Sequence, residues 1–589
     1  MSVTARPPAR RGGYRDTVND DRAVGDGLAE PDPADAVPHD SRERTDDSRE
    51  RTDPLELDPA DLFPLDRPLT TLRPLGPCRR AEELRASLRG VEVLAVTVRR
   101  GSHGPVPDPT AGIVEQLYGV DLARILDEEK ATGEAGQTVH RPLPLLDGLP
   151  GRILLVGTGT GSAKDLRRAG AALGRVCRGR SAVLTNLLDG LDDSQVRAAV
   201  EGLLLGGYTH PARGTKDRSD SAPAAHALLT GEFSDRALRR GAVHAAATAL
   251  ARDLAVMPCD VKNPEWFAQR AVALGRATGL RVQVLRTDRL RAEGFGGILA
   301  VGAGSAAPPC LVRVDHLPEA ASPLPEAAAG TDGAAGTDGA SAPLVLVGKG
   351  ITFDTGGLSI KPADSMSSMK TDMSGAAAVL AALVACRAAG VTTPVTGLLP
   401  LAENAVGADA WRPGDVVRQF DGHTVEVRNT DAEGRIVLAD ALGYAVRDLG
   451  ARTLVDVATL TGAATLGLGR GHAALLATDD DLAAALTQAG AECAELLWRL
   501  PLAGEYRPSL DSSVADLCHI ETDGVGGGAI TAALFLREFT GACRWAHLDI
   551  AGPARADAAG HEVCKGATGY GARLLLRWLE ELRPGPVSA

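Results

Sequence analysis

The stretch Leu344-Val-Leu-Val-Gly-Lys-Gly-Ile-Thr-Phe-Asp-Thr-Gly-Gly357 joins an apolar run to a glycine-rich loop that carries two charges. Its first four residues predict a buried strand, because short continuous apolar runs are typical of parallel sheets with both faces covered. Lys349 and Asp354 follow that strand directly. Since ligands bind at the carboxyl ends of strands in open α/β sheets, we expect both side chains to lie at a binding site.

Outward from this stretch, apolar runs alternate with Ala- and Arg-rich helical segments over most of the 589 residues. The alternation predicts an α/β fold, and a chain of this length exceeds what one core supports. We expect two α/β domains. The smaller N-terminal domain spans 66–255 and ends in a linker helix. The larger C-terminal domain spans 256–589, with a mixed, mainly parallel sheet flanked by helices.

Two segments are expected to lie outside these domains. Residues 1–65 are rich in Pro, Asp and Arg and poor in large apolar residues, which predicts a disordered tail. Residues 319–343 are rich in Ala, Gly, Pro and Asp and repeat Gly-Thr-Asp-Gly-Ala, which predicts a flexible surface insertion. A third segment, Gly157-Thr-Gly-Thr-Gly161, lacks the spacing of known phosphate loops, so a plain glycine-rich turn is favoured.

The composition narrows the classes of partner. A net charge of -13 argues against nucleic acid, which favours basic surfaces. We find no uncharged apolar run of about 18 residues and no apolar stretch after the charged N-terminus, so we expect neither a membrane span nor a secretory signal. Nine cysteines are scattered singly, which predicts free thiols in a reducing, cytoplasmic compartment.

Lysine is scarce in this chain. It occupies eight positions although Lys and Arg together number 63, and three of the eight are Lys349, Lys361 and Lys370. Arg is effectively always protonated, whereas a buried Lys beside cations can lose its proton. The cluster therefore indicates a site where Arg cannot substitute, and Lys349 is a candidate for a neutral amine ligand.

Further carboxylates follow in two loops. Asp372 precedes a predicted helix, and Asp431 and Glu433 lie between a predicted strand and the next helix. Together with Asp354 they repel one another unless cations lie between them, and two divalent metals about 3.5–4 Å apart are the usual arrangement. Oxygen ligands suit Mn²⁺ or Mg²⁺, and Zn²⁺ also accepts carboxylates. This reasoning predicts a dinuclear site and leaves its reaction open.

Three motifs resemble the leucyl aminopeptidase family, also called cytosol aminopeptidases, which are dinuclear metallopeptidases. They are Val347–Gly357, Met369–Asp372 and the Asn-Thr-Asp-Ala-Glu-Gly-Arg string at Asn429–Arg435. Further matches are Ala458–Gly462, Gly526–Thr531 and Trp545–Gly552. The resemblance covers nearly all of 256–589 and, less strongly, 66–255.

The resemblance implies roles for the matching residues. The implied metal ligands are Lys349, Asp354, Asp372, Asp431 and Glu433, with Asp354 and Glu433 bridging both metals. The implied catalytic pair is Lys361 and Arg435. The implied pocket for the first side chain comprises Met369, Asn429, Ala432, Thr459 and Leu460.

The implied activity is the release of N-terminal amino acids, Leu- or Met-like, from peptides by a water bound to two metals, Mn²⁺ or Zn²⁺. A bicarbonate ion at Arg435 and a homohexamer are also implied. One departure is Leu254–Pro258, where the family usually carries an Asn, and this places local packing in question. His547 and Asp549 lie in a family motif and are interpreted as structural.

Two alternatives stay open. Some relatives of this family bind DNA or regulate transcription, although the acidic net charge favours the enzyme here. Two metals also suit a phosphoesterase. Such sites normally recruit histidines, and between Lys349 and Arg435 the sequence offers His423 alone.

Overall fold

Apolar strands build two sheets in this computed structural model, which describes residues 56–65, 67–210, 219–318 and 343–582. Most of the predicted tail (1–55) and all but the last residue of the predicted insertion (319–342) lie outside the described residues. All nine cysteines are free, as predicted.

The N-terminal sheet has a parallel centre with antiparallel strands at one side. Its strands are β1 (Thr71–Leu75), β2 (Val93–Gly101), β3 (Gly104–Pro107), β4 (Thr138–Pro142), β5 (Arg152–Gly157), β6 (Ala182–Thr185) and β7 (His226–Thr230). Its helices are α1 (Ala81–Ser87), α2 (Thr110–Tyr118), α3 (Leu122–Glu128), α4 (Ala163–Val176), α5 (Asp193–Gly207) and α6 (Asp235–Val256). The order is β1-β7-β6-β2-β5-β4, with β3 beside β2. The predicted linker helix is α6.

The C-terminal sheet is larger and mixed. The strands of this half are β8 (Arg281–Leu285), β9 (Cys310–His316), β10 (Leu344–Gly348), β11 (Gly350–Asp354), β12 (Val395–Asn404), β13 (Val416–Arg418), β14 (Thr424–Glu426), β15 (Thr453–Ala458), β16 (Ala473–Ala477), β17 (Leu497–Arg499), β18 (Leu517–Cys518), β19 (Arg544–Asp549), β20 (Arg555–Ala556) and β21 (Gly566–Ala567). The main sheet runs β17-β16-β19-β15-β10-β12-β9-β8, with β11 beside β12. Its four central strands, β19 to β12, are parallel. The predicted mixed, mainly parallel sheet is confirmed.

Helices cover this sheet and place their first turns beside its strand ends. They are α7 (Pro264–Thr278), α8 (Thr287–Glu293), α9 (Gly296–Gly302), α10 (Ala363–Met366), α11 (Ser374–Ala389), α12 (Glu433–Arg447), α13 (Gly462–Leu468), α14 (Asp480–Cys493), α15 (Gly528–Arg537) and α16 (Ala572–Glu581). The segment Met369–Ala389 is long and apolar enough to cross a membrane, yet 83% of its most apolar stretch of 18 residues is buried inside the protein. It packs against α6, α16 and β10, so its apolarity is that of a core helix.

Residues 56–65 correct the predicted extent of the tail. Leu57 forms an antiparallel bridge with Leu72 of β1, and Phe63 is only 3% exposed within the main core. The prediction of disorder through residue 65 was wrong for these ten residues. The apolar side chains among them bury enough surface to offset the entropy of ordering the segment.

We expect Phe63→Ala to lower the free energy of unfolding by about 3 kcal/mol, because truncating a buried Phe leaves a cavity. Urea denaturation of the full chain measures this. The matched control is Asp61→Asn at an exposed neighbouring position, expected to stay within about 0.5 kcal/mol of the parent. A Phe63 variant as stable as that control would contradict the assignment of this segment to the core.

The loop Gly157–Gly161 is a closed turn. The backbone N–H groups of Gly159, Thr160 and Gly161 donate to Gly133 O, Asp165 Oδ2 and Thr158 O, at 2.9, 3.0 and 3.0 Å. These groups are committed within the protein and do not cradle a phosphate, which agrees with the prediction of a plain turn.

Candidate metal centre

The candidate site lies where strand ends of the C-terminal sheet meet two helix N-termini. Lys349 stands between β10 and β11, and Asp354 is the last residue of β11. The Lys349 backbone is fixed on both sides, since its N–H donates to Val457 O at 3.0 Å and its carbonyl accepts from Ala376 N at 2.9 Å. Asp372 precedes α11 and Glu433 begins α12. The strand-end prediction for these residues is confirmed.

Lys349 lies among carboxylates. Its Nζ is 2.9 Å from Asp372 Oδ2 and 2.8 Å from Glu433 Oε1, and it donates to Thr459 O at 2.8 Å. The side chain is 3% exposed. Burial opposes its charge, but Asp372 and Glu433 outweigh burial and raise the pKa of Lys349. This direction describes the lysine and carboxylates alone, so the role of Lys349 as a neutral amine ligand stays a prediction.

Lys361 holds the second pair of carboxylates. Its Nζ lies 2.8 Å from Asp354 Oδ2 and forms an ion pair with Asp431 Oδ1. Burial works against this charge, and the nearby carboxylates, Asp354 first, raise the pKa of Lys361 well above its ordinary value. Lys349 and Lys361 therefore both counter the negative charge of the carboxylates.

Three of the four predicted carboxylates converge, and Asp372 is linked to them through Lys349. Asp354, Asp431 and Glu433 each offer an oxygen within 4.8 Å of the others. Burial raises the pKa of Asp354, and the Glu433 carboxylate raises it further. Glu433 Oε2 is buried and accepts no hydrogen bond from any residue that the structure describes. An orphaned carboxylate oxygen within such a cluster suits a divalent cation, so the residues present fit metal ions.

Arg435 lies beside this cluster on α12. It is 7% exposed, its Nη1 donates to His519 O at 2.7 Å, and its Nε has no hydrogen-bond partner within the described residues. Burial lowers the pKa of Arg435 to about 10, which leaves it charged at neutral pH. A buried guanidinium with a free donor fits a small anion.

Profiles of two domains match this chain. The catalytic domain of the cytosol aminopeptidase family matches residues 249–576, and the N-terminal domain of that family matches residues 93–212. The chain belongs to the cytosol aminopeptidase family. The resemblance and the two-domain α/β fold are thereby confirmed, and this family member is a metal-dependent aminopeptidase, hence a hydrolase.

Individual relatives can be aligned with this chain over most of their own length. "Probable cytosol aminopeptidase" from Streptomyces coelicolor is 40% identical over 519 residues, covering 83% of this chain and 95% of the relative. A relative of the same name from Syntrophotalea carbinolica is 40% identical over 486 residues, covering 79% and 92%.

Two solved structures share the fold. The bottromycin maturation enzyme BotP in complex with Mn has a TM-score of 0.71 at 35% identity, covering 83% of this chain and 99% of that one. A variant of tomato leucine aminopeptidase has a TM-score of 0.73 at 29% identity, covering 88% and 97%.

Asn404 supports the site of this cytosol aminopeptidase family member, and the sequence did not lead us to predict it. Its Nδ2 donates to Asp354 Oδ1 and Thr430 O at 2.8 and 2.9 Å, so one fully buried amide joins the two loops that carry the carboxylates. Asn404 ends β12 and pairs in register with Asp354. The strand-end rule that located Asp354 was the available signal.

His519 was also missed, and no local pattern marks it. Its Nε2 lies 2.8 Å from Asn429 O and its Nδ1 3.1 Å from Glu426 O, at either end of the second carboxylate loop. Burial, reinforced by Arg435, lowers the pKa of His519 to about 4, so the ring is neutral at pH 7. It therefore braces the loop without adding charge.

The predicted pocket residues lie at the edge of the cluster and are half-buried: Met369, Asn429, Ala432, Thr459 and Leu460. Thr459 has a supporting role that the sequence did not suggest, since its Oγ1 donates to Asp372 Oδ1 at 2.8 Å. The Leu460 N–H donates to Asp549 Oδ1 at 3.1 Å, which fits the structural interpretation of Asp549. Substrate binding by the five residues stays a prediction.

His547 is likewise engaged in the core. Its Nδ1 lies 2.5 Å from Asp456 Oδ1, and Trp545 Nε1 donates to the other oxygen of Asp456 at 2.7 Å. Both ring systems are buried. This network orders β15 and β19 beneath the site, as the structural interpretation of His547 expects.

Two lysines stabilise the segment Leu254–Pro258, where the family usually carries an Asn. Lys262 Nζ donates to Ala255 O at 2.9 Å and also to Lys370 O. Lys370 Nζ in turn donates to Val256 O at 3.0 Å. These bonds satisfy carbonyls at the end of α6 and connect that helix to the loop before Asp372.

The absence of a side chain at Gly434 leaves room for the Lys349 side chain. A Cβ at this position would lie 2.6 Å from Lys349 Cε and 2.7 Å from its Nζ. We expect Gly434→Ala to weaken Mn²⁺ binding about tenfold or more by displacing the Lys349 side chain. The free energy of unfolding should change little, because helix propensity gains about 1 kcal/mol against about 1–3 kcal/mol of overpacking.

Isothermal titration with Mn²⁺ and urea unfolding measure the two effects. The matched control is Gly467→Ala in α13, where an added Cβ meets nothing within 4 Å. Unchanged Mn²⁺ affinity in Gly434→Ala would show that Lys349 placement does not govern the site.

Proposed function

We propose that this aminopeptidase holds two divalent metal ions through Lys349, Asp354, Asp372, Asp431 and Glu433. Two observations carry this proposal: three carboxylate oxygens converge within 4.8 Å, and the buried Glu433 Oε2 accepts no hydrogen bond from the described residues. Manganese is the proposed metal, with zinc as the alternative, because the related BotP structure is described in complex with Mn.

When bound, the metals supply polarisation of the scissile carbonyl and a water activated for attack. The chain's own residues set the rest of the chemistry. The Lys361 ammonium, held between Asp354 and Asp431, stabilises negative charge that develops on the carbonyl oxygen. Arg435 holds a bicarbonate ion through its free donor and does not itself take up a proton at neutral pH.

The proposed substrates are peptides whose first residue is apolar, Leu or Met in type. Bound metals would offer a coordination position to a free N-terminal amine, which an internal peptide nitrogen could not fill, and this would select the end of the chain. Met369, Ala432 and Leu460 supply apolar atoms at the edge of the carboxylate cluster. The related tomato structure is described as a leucine aminopeptidase.

A homohexamer and a cytoplasmic location complete the proposal. Both rest on the family, and the second also on the family's description as cytosol aminopeptidases. Light scattering coupled to size-exclusion chromatography tests the assembly. A monomeric, fully active protein would exclude a requirement for the hexamer.

The deciding assay compares Leu-p-nitroanilide with p-nitrophenyl phosphate at saturating Mn²⁺. We expect hydrolysis of the anilide, its loss after chelation, and recovery when Mn²⁺ is restored. Phosphate ester hydrolysis with an inert anilide would support the phosphoesterase alternative. Salt-dependent retardation of DNA in a gel, with no peptidase activity, would support the DNA-binding alternative.

A further inference from the structure

A cavity of about 370 Å³ lies between α4 and the segment that follows β19, apart from the carboxylate cluster. Small-molecule sites usually begin near this volume, whereas a nucleic-acid strand needs an extended groove. The cavity walls come from both halves of the protein, since α4 belongs to the N-terminal sheet and the opposite wall to the C-terminal one.

The lining is strongly cationic. Six Lys or Arg side chains line it against two glutamates, and the six are Lys164, Arg167, Arg168, Arg470, Arg555 and Arg573. Two of these are committed to buried carboxylates. Arg167 lies 2.8 Å from Glu201 Oε2, and Arg573 Nε lies 3.3 Å from Glu495 Oε1. These pairs form the floor of the cavity and carry little free charge.

The rim differs from the floor. Lys164 and Arg168, on successive turns of α4, form no ion pair with any residue that the structure describes. Arg470 pairs with Asp557 at 3.1 Å, and the Asp557 side chain is 77% exposed, so this pair is screened by water. The positive charges of the rim also act on His561, which lines the same cavity. Burial and then the Arg168 charge lower its pKa.

Arg555 connects the cavity with the loop before Asp372. Its Nη1 donates to Ser368 Oγ, and the Asp557 and Asp372 charges act on it without an ion pair to either within the described residues. Arg470 donates to the Arg555 carbonyl at 3.5 Å, so the two cations form one edge of the cavity. Lys164 and Arg168 on α4 and Arg555 on the opposite wall, which lack a carboxylate at ion-pair distance among the described residues, leave a site that an anion of two or more charges would complete.

We propose that this cavity binds a small polyanion, a phosphate or a dicarboxylate, which bridges α4 to the segment around Arg555. Guanidinium groups favour these ligands because their fixed fork matches paired oxygen atoms. A ligand held by both halves of the protein binds the folded state alone and therefore stabilises it by mass action.

The test measures binding to the full-length chain with Mn²⁺ removed, so that anions have no metal to coordinate. Inorganic phosphate and succinate are titrated separately by calorimetry and thermal melting, at ionic strength matched with sodium chloride. We expect one of them to raise Tm beyond the chloride control, and the anion that does so identifies the class. In Lys164→Gln/Arg168→Gln the Kd for that anion should rise at least tenfold.

Arg239→Gln, at an exposed position on α6, is the matched control and should bind as the parent does. Lys164→Gln alone, also at an exposed position, serves if the double variant fails to fold. The proposal would be overturned if neither phosphate nor succinate bound to the parent protein. Equal affinity in the parent and the charge variants would overturn it as well, because the anion would then bind elsewhere.

Discussion

A Glu433→Gln variant is expected to bind Mn²⁺ at least about a hundredfold more weakly, and to lose kcat/KM for Leu-p-nitroanilide by about a thousandfold. Glu433 is 1% exposed, and its Oε1 lies 2.8 Å from Lys349 Nζ. An amide of the same shape keeps the volume but removes the charge that faces both the lysine and the metals. Removing an outer partner of a metal ligand already costs tenfold to a hundredfold, and a direct ligand costs more.

The folded state should survive this change. Glu433 contributes to the repulsion that raises the pKa of Asp354 and Asp372, so neutralising it relieves a buried cluster of like charges. We therefore expect the Tm of the metal-free variant to stay close to that of the parent while activity collapses. Calorimetric Mn²⁺ titration, steady-state kinetics and thermal melting separate the two effects.

The matched control is Glu538→Gln, which removes a half-exposed surface pair with Arg507 at 2.6 Å. Its kinetics and Mn²⁺ affinity should equal those of the parent, since such pairs contribute at most about 1 kcal/mol to stability. If Glu433→Gln retained kcat/KM within threefold, the ligand assignment would be wrong.

The site residues that could be predicted from the sequence are those whose position depends on the strand or helix next to them in the chain. Lys349 and Asp354 follow an apolar strand directly, and Asp431 lies in a short loop between a strand and a helix. A strand end fixes where such residues lie before any tertiary contact is known. Lysine scarcity added an independent signal, and Lys349, Lys361 and Lys370 all prove to be engaged at or beside the site.

The parts that sequence missed depend on contacts between distant segments. Asn404 reaches Asp354 across 50 residues, and His519 braces a loop some 90 residues away. His519 carries no local pattern, whereas Asn404 ends β12 and only the strand-end rule could have marked it.

In the fold, too, local patterns could be predicted and contacts between distant segments could not. The parallel centre of the larger sheet follows from apolar runs alternating with helices, whereas the ordered residues 56–65 do not follow from composition. Leu57, Leu62, Phe63 and Leu65, among polar neighbours, attach this segment to the core. An average composition over residues 1–65 does not show that these four apolar side chains are grouped at its end.

Lys361→Met is expected to lower kcat about a hundredfold to a thousandfold while Mn²⁺ binding is retained. In the proposed site Lys361 supplies charge to the carbonyl oxygen and does not ligate a metal. Its loss also leaves Asp354 and Asp431 free of a competing ammonium that now lies 2.8 Å from Asp354 Oδ2. Metal affinity should therefore stay equal or rise, and KM should change little.

Lys370→Met provides the matched comparison, because this lysine lies in the same loop and donates to the Val256 carbonyl at 3.0 Å. We expect it to lose about 1 kcal/mol of stability through that hydrogen bond, with kcat within a few fold of the parent. Steady-state kinetics at saturating Mn²⁺, paired with metal analysis of the same samples, tests both variants. Loss of bound Mn²⁺ in Lys361→Met would contradict the catalytic role, since the fall in kcat would then reflect an incomplete metal site.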